Sequence, residues 1–90
     1  MNLEKKERLY KHLFIKYGIE KQFMVAMEEM SELIKELSKY CRGTQSSIKS
    51  EIADVEIMLD EIKFILKLSQ EEIEAEKEVK LIRQIEREKL

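Results

Sequence analysis

IKSEIADVEIMLDEIKFILKL, residues 48–68, is the most apolar run of the chain, yet it carries five acids. Its periodicity is that of a helix. Counted from Glu51 at about 100° per residue, Ile48, Val55, Leu59, Ile62 and Leu66 fall within roughly 20–80°. Met58 and Ile65 follow near 340° and 320°, and Asp54 near 300°, by the same count of about 100° per residue. Lys49, Glu56, Asp60, Lys63 and Lys67 already fill the ordinary polar sector at roughly 120–180°. Glu51 therefore stands inside an apolar sector, with Asp54 at its edge. Two acids one turn apart are turned toward the packed side.

Upstream, Arg42-Gly43-Thr44-Gln45-Ser46-Ser47 is the one polar, turn-prone cluster. Before it, Ile19–Cys41 carries Phe23, Ala26, Met27, Met30, Leu33, Ile34, Leu37 and Cys41 at three- and four-residue steps, a second amphipathic helix. Leu3, Tyr10, Leu13, Phe14 and Tyr17 mark a first helix, which Gly18 stops. Ser47 is expected to cap the third helix, which the pattern carries to Leu68. Ser69-Gln70-Glu71-Glu72 reads as a capping box opening a fourth, strongly charged helix to about Lys89. Ala, Glu, Lys, Leu and Arg make up 47 of 90 residues and there is no Pro, the bias of long helices. The expectation is an all-α single domain over residues 1–90, a helical hairpin with a flanking helix on each side. A helical chain this short leaves much surface bare, so association with a second copy is expected to finish the core as a four-helix-type bundle.

Seventeen Lys and Arg against nineteen Asp and Glu leave a formal charge of −2. No basic stripe suits a nucleic acid polymer, and no run of about eighteen uncharged apolar residues suits a membrane. The opening MNLEKKERLY lacks the apolar core of a signal peptide. A lone Cys41 excludes an intramolecular disulfide and fits a reducing cytoplasm.

The helix before the loop supplies acids to face Glu51 and Asp54. In Glu28-Glu29-Met30-Ser31-Glu32, Glu29 and Glu32 project from adjacent turns of one face. Glu32 precedes Gly43 by eleven residues and Glu51 follows it by eight, so a hairpin sets them at similar height. Carboxylates about 5 Å apart repel by roughly 3 kcal/mol at an effective dielectric near 20. Either most of such a group protonates or a divalent ion sits within it. An all-oxygen donor set favours Mg²⁺ or Mn²⁺ over Zn²⁺. The chemistry best served is attack of water on phosphorus, with an acid off the metal orienting that water or accepting its proton.

EExxE followed across a spacer by ExxD resembles the signature of the MazG-like all-α nucleoside triphosphate pyrophosphohydrolases. Here it stands as Glu28-Glu29-Met30-Ser31-Glu32, eighteen residues, then Glu51-Ile52-Ala53-Asp54. Gly18-Ile19-Glu20-Lys21-Gln22, Leu33-Ile34-Lys35-Glu36-Leu37 and Asp54-Val55-Glu56-Ile57-Met58-Leu59 agree with it, over roughly residues 15–70. The resemblance implies hydrolysis of a (d)NTP between the α and β phosphates to a monophosphate and pyrophosphate, a use in nucleotide-pool housecleaning, and a homodimer or dimer of dimers. It implies that Glu29, Glu32, Glu51 and Asp54 hold Mg²⁺ and that Glu28 is a supporting acid near the metals. The chain is short for that family and has no Trp, so Phe23, Tyr40 or Tyr17 would have to replace an aromatic that stacks on the base; helical core is the commoner fate of such residues.

Lys80 and Arg83 resemble a cation pair set near the phosphates, against the plain alternative of surface pairing with Glu76 and Glu86. Gln22, two turns before the first acids, is a candidate for a base or ribose contact. His12, among Lys11, Arg8 and Lys16, reads as exposed; Cys41 reads as a small core residue, and the Met residues as adaptable packing. The competing reading is a non-catalytic helical interaction or regulatory module on the same scaffold, whose acids are dispensable for metal affinity.

Overall fold

The computed structural model describes residues 1–90 as four helices: α1 (Leu3–Tyr17), α2 (Ile19–Cys41), α3 (Ile48–Leu66) and α4 (Gln70–Glu88). The all-helical expectation holds, and the breaks fall where the local chemistry puts them. Asn2 opens α1 by accepting the Lys5 N–H at 2.8 Å. Gly18 alone separates α1 from α2, at φ 87°, a left-handed value that a side chain would resist. Ser47 stands at the N-cap of α3, but its side chain makes no capping bond. α3 ends two residues before the expected Leu68. Lys67 turns left-handed at φ 57°, and the Leu68 N–H closes on the Lys63 carbonyl at 2.9 Å. The capping box that opens α4 is complete: the Glu72 N–H donates to Ser69 Oγ at 3.1 Å and the Ser69 N–H to Glu72 Oε2 at 2.7 Å.

α2 and α3 pack along each other as an antiparallel hairpin, and α1 lies against both. On α1, Tyr10 is buried, its ring 6.1 Å from that of Phe64 on α3. The seam between α2 and α3 is centred on Ala26 and Met58, both buried. It is not centred on the apolar stripe of α3. Leu59 and Leu66, expected inside, are exposed, and Glu61 is the most buried side chain of the molecule at 2%. Cys41, expected in the core, is exposed as well.

This rotation leaves an apolar face uncovered. On α2, Met27, Ile34 and Leu37 are exposed and lie about 100° round from the seam. On α3, Ile52, Leu59 and Leu66 are exposed and lie about 100° round from the seam in the same rotational sense. Because the helices run antiparallel, an equal rotation in one sense puts both stripes on one side of the hairpin. Phe64, turned the opposite way, meets α1. One side of the hairpin is thus covered by α1 and the other is bare.

α4 adds no cover. It has no buried residue, and Val79, Leu81, Ile82 and Ile85 are all exposed. Most helical stability in proteins comes from packing an amphipathic face, which α4 lacks within the single chain. The chain exposes 7606 Å², whereas a monomer of its 10.8 kDa mass exposes about 5,500 Å². Its radius of gyration is 16.1 Å, against about 12 Å for a compact domain of this length.

Beneath Tyr10, Glu61 meets the buried Gln22. The Gln22 amide is satisfied with its nitrogen toward Glu61, 2.8 Å from Oε1 and 3.2 Å from Oε2. Burial holds the Glu61 carboxyl above its ordinary 4.5, so the folded chain keeps that proton to higher pH than the unfolded chain. The resulting stability is complete below about pH 4.5 and is lost as pH rises through the folded value. Glu61→Gln therefore gains melting temperature over the parent chain at pH 7 and much less at pH 4. Thermal unfolding followed by circular dichroism checks this, and an equal gain at both pH values would exclude a buried charge as the cause.

Candidate metal centre

The polar residues of the seam fall into two ladders of seven-residue steps, each step two helical turns. On α2 they are Gln22, Glu29 and Glu36; across from them are Glu61, Asp54 and Ser47. Gln22 meets Glu61 at one end, as described. At the other end, Glu36 is buried and its Oε2 accepts the Ser47 N–H at 3.0 Å. The middle rung holds the acids. Glu29, Glu51 and Asp54, all half-buried, each bring a carboxylate oxygen within 4.8 Å of the other two.

That convergence is electrostatically costly, at roughly 3 kcal/mol per pair of charges in a medium of effective dielectric near 20. The titration of the group reflects it. Loss of hydration pushes the Glu29 carboxyl up, followed by the charges of Asp54, Glu51 and Glu32 and a hydrogen bond to Asp54 that requires the Glu29 proton. Loss of hydration likewise pushes Glu51 up, with Asp54, Glu32 and Glu36 adding to it. No Lys or Arg forms an ion pair with any of the three; the four ion pairs of the molecule join Arg8 to Glu4, Lys39 to Glu36, Lys63 to Asp60 and Lys77 to Glu74. Glu51 Oε2 is buried and has no hydrogen-bond partner at all. A hard dication fits this donor set: carboxylate oxygens only, charge uncompensated, one acceptor buried and unsatisfied.

The other expected residues take different positions. Glu32 is exposed, level with Glu51 in the register of the seam and near enough for its charge to act on both Glu29 and Glu51. Glu28 is exposed on α2. Lys80 and Arg83 are exposed on α4, and neither pairs with Glu76 or Glu86. Gln22 is buried with its amide nitrogen engaged by Glu61. Phe23 is half-buried, whereas Tyr17 and Tyr40 are exposed. His12 is exposed, as expected.

Sequence reasoning passed over Glu36 and Glu61, which look like ordinary solvated acids of a Glu-rich chain. The available signal was spacing. Glu36 stands seven residues after Glu29, and Glu61 seven after Asp54, so each shares a face with an acid already singled out.

The chain matches no protein-family model, no curated protein sequence and no solved structure.

With Glu29 and Glu51 held protonated to higher pH than ordinary carboxylates, the metal-free chain gains stability as pH falls, and a bound dication reverses that slope. At pH 7.5, Mn²⁺ at a hundred times its dissociation constant stabilises the fold by about 2.7 kcal/mol. Glu51→Gln raises the melting temperature in EDTA and abolishes the rise on adding Mn²⁺. Paired thermal melts with and without the ion measure both effects, and an unchanged Mn²⁺ response in the variant would remove Glu51 from the site.

Proposed function

We propose that this chain is a Mg²⁺-dependent nucleoside triphosphate pyrophosphohydrolase of MazG-like type that works as a homodimer. The observation that carries the proposal is the middle rung of the seam. Glu29, Glu51 and Asp54 converge within 4.8 Å with no cation among them, and Glu51 Oε2 is buried and unpaired. The same residues stand in an EExxE and ExxD arrangement that resembles that family's signature. Glu29, Glu51 and Asp54 would hold the metal, with Glu32 at the solvent side of the group; Mn²⁺ is the natural substitute. A dication bound there neutralises phosphate oxygens and lowers the pKa of a coordinated water.

The chain's own groups supply the rest. The carboxylates fix the acceptor geometry in advance, because α2 and α3 hold them from opposite sides of one seam. Glu28, exposed and one residue from Glu29, is the acid free to orient the attacking water or accept its proton. Lys80 and Arg83, exposed and without acidic partners, are the cations offered to the triphosphate. Attack at the α phosphorus then forms a bond from water oxygen to phosphorus and breaks the bridge to the β phosphate, leaving monophosphate and pyrophosphate.

The bare side of the hairpin supports the dimer. The chain exposes about 2,000 Å² more than a monomer of its mass, and a standard interface buries about 800 Å² per partner. A second copy laid on Met27, Ile34, Leu37, Ile52, Leu59 and Leu66 would complete a four-helix bundle around the two seams.

Two measurements test the reading. Pyrophosphate release over a panel of canonical and modified (d)NTPs with Mg²⁺ is expected for at least one substrate, with Glu51→Gln lower on the order of 10²-fold. No release above that control for any substrate, together with Mn²⁺ titrations that do not respond to the acids, would favour a non-catalytic helical module. Leu59→Glu and Ile34→Glu each place a charge on the bare face and convert a dimer to monomer in sedimentation; a parent chain that sediments as a monomer would remove the dimer.

A further inference from the structure

We infer that Glu36 is a positioning residue for the metal centre: its hydrogen bond to the Ser47 backbone sets the height of α3 on α2, and so delivers Glu51 to Glu29 and Asp54. The functional half of this inference rests on the metal reading above; the structural half does not. Both oxygens of the Glu36 carboxylate are engaged. Oε2 accepts the Ser47 N–H at 3.0 Å, and Oε1 accepts from Lys39 Nζ at 3.3 Å. The residue is 8% exposed, which is deep for an acid in a chain whose other glutamates mostly face water.

Its donor partner is well chosen for the task. Ser47 is the N-cap of α3 and lacks a side-chain cap of its own. Its carbonyl accepts the Glu51 N–H at 3.1 Å, the first turn of α3. Glu36, Ser47 and Glu51 thus form one chain of bonds from α2 into the helix that carries a metal-site acid. The loop between Arg42 and Ser47 contains Gly43 at φ 75° and only short polar side chains, and it makes no other side-chain bond to α2. Along the rest of the seam, the buried Ala26 and Met58 are apolar and fix no register by hydrogen bonding, and the remaining polar clamp, Gln22 to Glu61, lies at the far end. Near the loop, Glu36 is the group that fixes the register. The same bond to Ser47, with Lys39 beside it, holds the Glu36 carboxyl below its ordinary range, which favours the anion as acceptor.

The test compares the parent chain with Glu36→Gln, whose amide oxygen can still accept the Ser47 N–H, and Glu36→Ala, which cannot. Lys39→Met separates loss of the ion pair from loss of the backbone bond. Residue-resolved amide exchange is read in the metal-free proteins and Mn²⁺ affinity by calorimetry. Glu36→Ala is expected to speed exchange at Ser47 and Glu51 tenfold or more while amides of Tyr10 and Met58 stay within twofold, and to weaken Mn²⁺ at least tenfold. Glu36→Gln restores both to within about threefold, and Lys39→Met leaves both near the parent values. Uniformly faster exchange along α2 and α3 in Glu36→Ala, or unchanged exchange at Glu51, would overturn the positioning role. Faster exchange at Ser47 and Glu51 with Mn²⁺ affinity unchanged would also overturn it. A parent chain that binds no Mn²⁺ would instead overturn the metal reading, and exchange at Ser47 and Glu51 would still decide whether Glu36 sets the register.

Discussion

The structure depends on an unusual seam, in which two amphipathic helices meet through their acids rather than through their greasiest sides. A carboxylate leaves water at a cost, and a group of three leaves it at a much larger one. The hairpin accepts that cost at Glu29, Glu51 and Asp54 and places hydrogen-bonded polar pairs above and below them, Gln22 with Glu61 and Glu36 with Ser47. Ala26 and Met58 provide close apolar packing between the rungs. A helix pair optimised for stability alone would have turned Leu59 and Leu66 inward. Rotating them out sets local packing against the placement of the acids.

The rotation links the acid cluster to the bare apolar face. Each degree that brings Glu51 and Asp54 toward α2 carries Leu59 and Leu66 away from it, so a buried acid cluster and a bare apolar face arise from one geometric choice. α1 relieves the exposure on one side through Tyr10 and Phe64. Nothing in the same chain relieves the other. The large exposed surface of the single chain follows directly.

Much of the fold was legible because its punctuation is local. Gly18, the polar loop around Gly43 and the Ser69–Glu72 capping box each act through a few neighbouring atoms, and the helix limits followed to within two residues. The early stop of α3 was missed because Lys67 adopts a left-handed turn without a glycine to signal it. The acid set was legible from i,i+3 spacing on helices that a short loop must fold together. What the sequence could not show was which part of the broad apolar sector of α3 would win the seam, since that sector holds Glu51 and also reaches Leu59 about 80° round from it. For the same reason Glu36 and Glu61 went unread. Among seventeen glutamates, burial is decided by the partner helix, and their own neighbours in sequence say nothing of it.

The heptad spacing of the two polar ladders also acts as a vernier. Slide α3 by one turn toward the loop or away from it, and Glu61 comes level with Ala26 or passes beyond Gln22, while Glu29 comes level with Met58 or with Ser50. The carboxylates of the rungs would then lie opposite apolar side chains, Ser50 or, for Glu36, the Glu51 carboxylate, and the polar pairs would be lost. Alternative alignments of the hairpin are therefore penalised at several places together, and the polar rungs add register to a seam whose buried apolar residues are Ala26 and Met58.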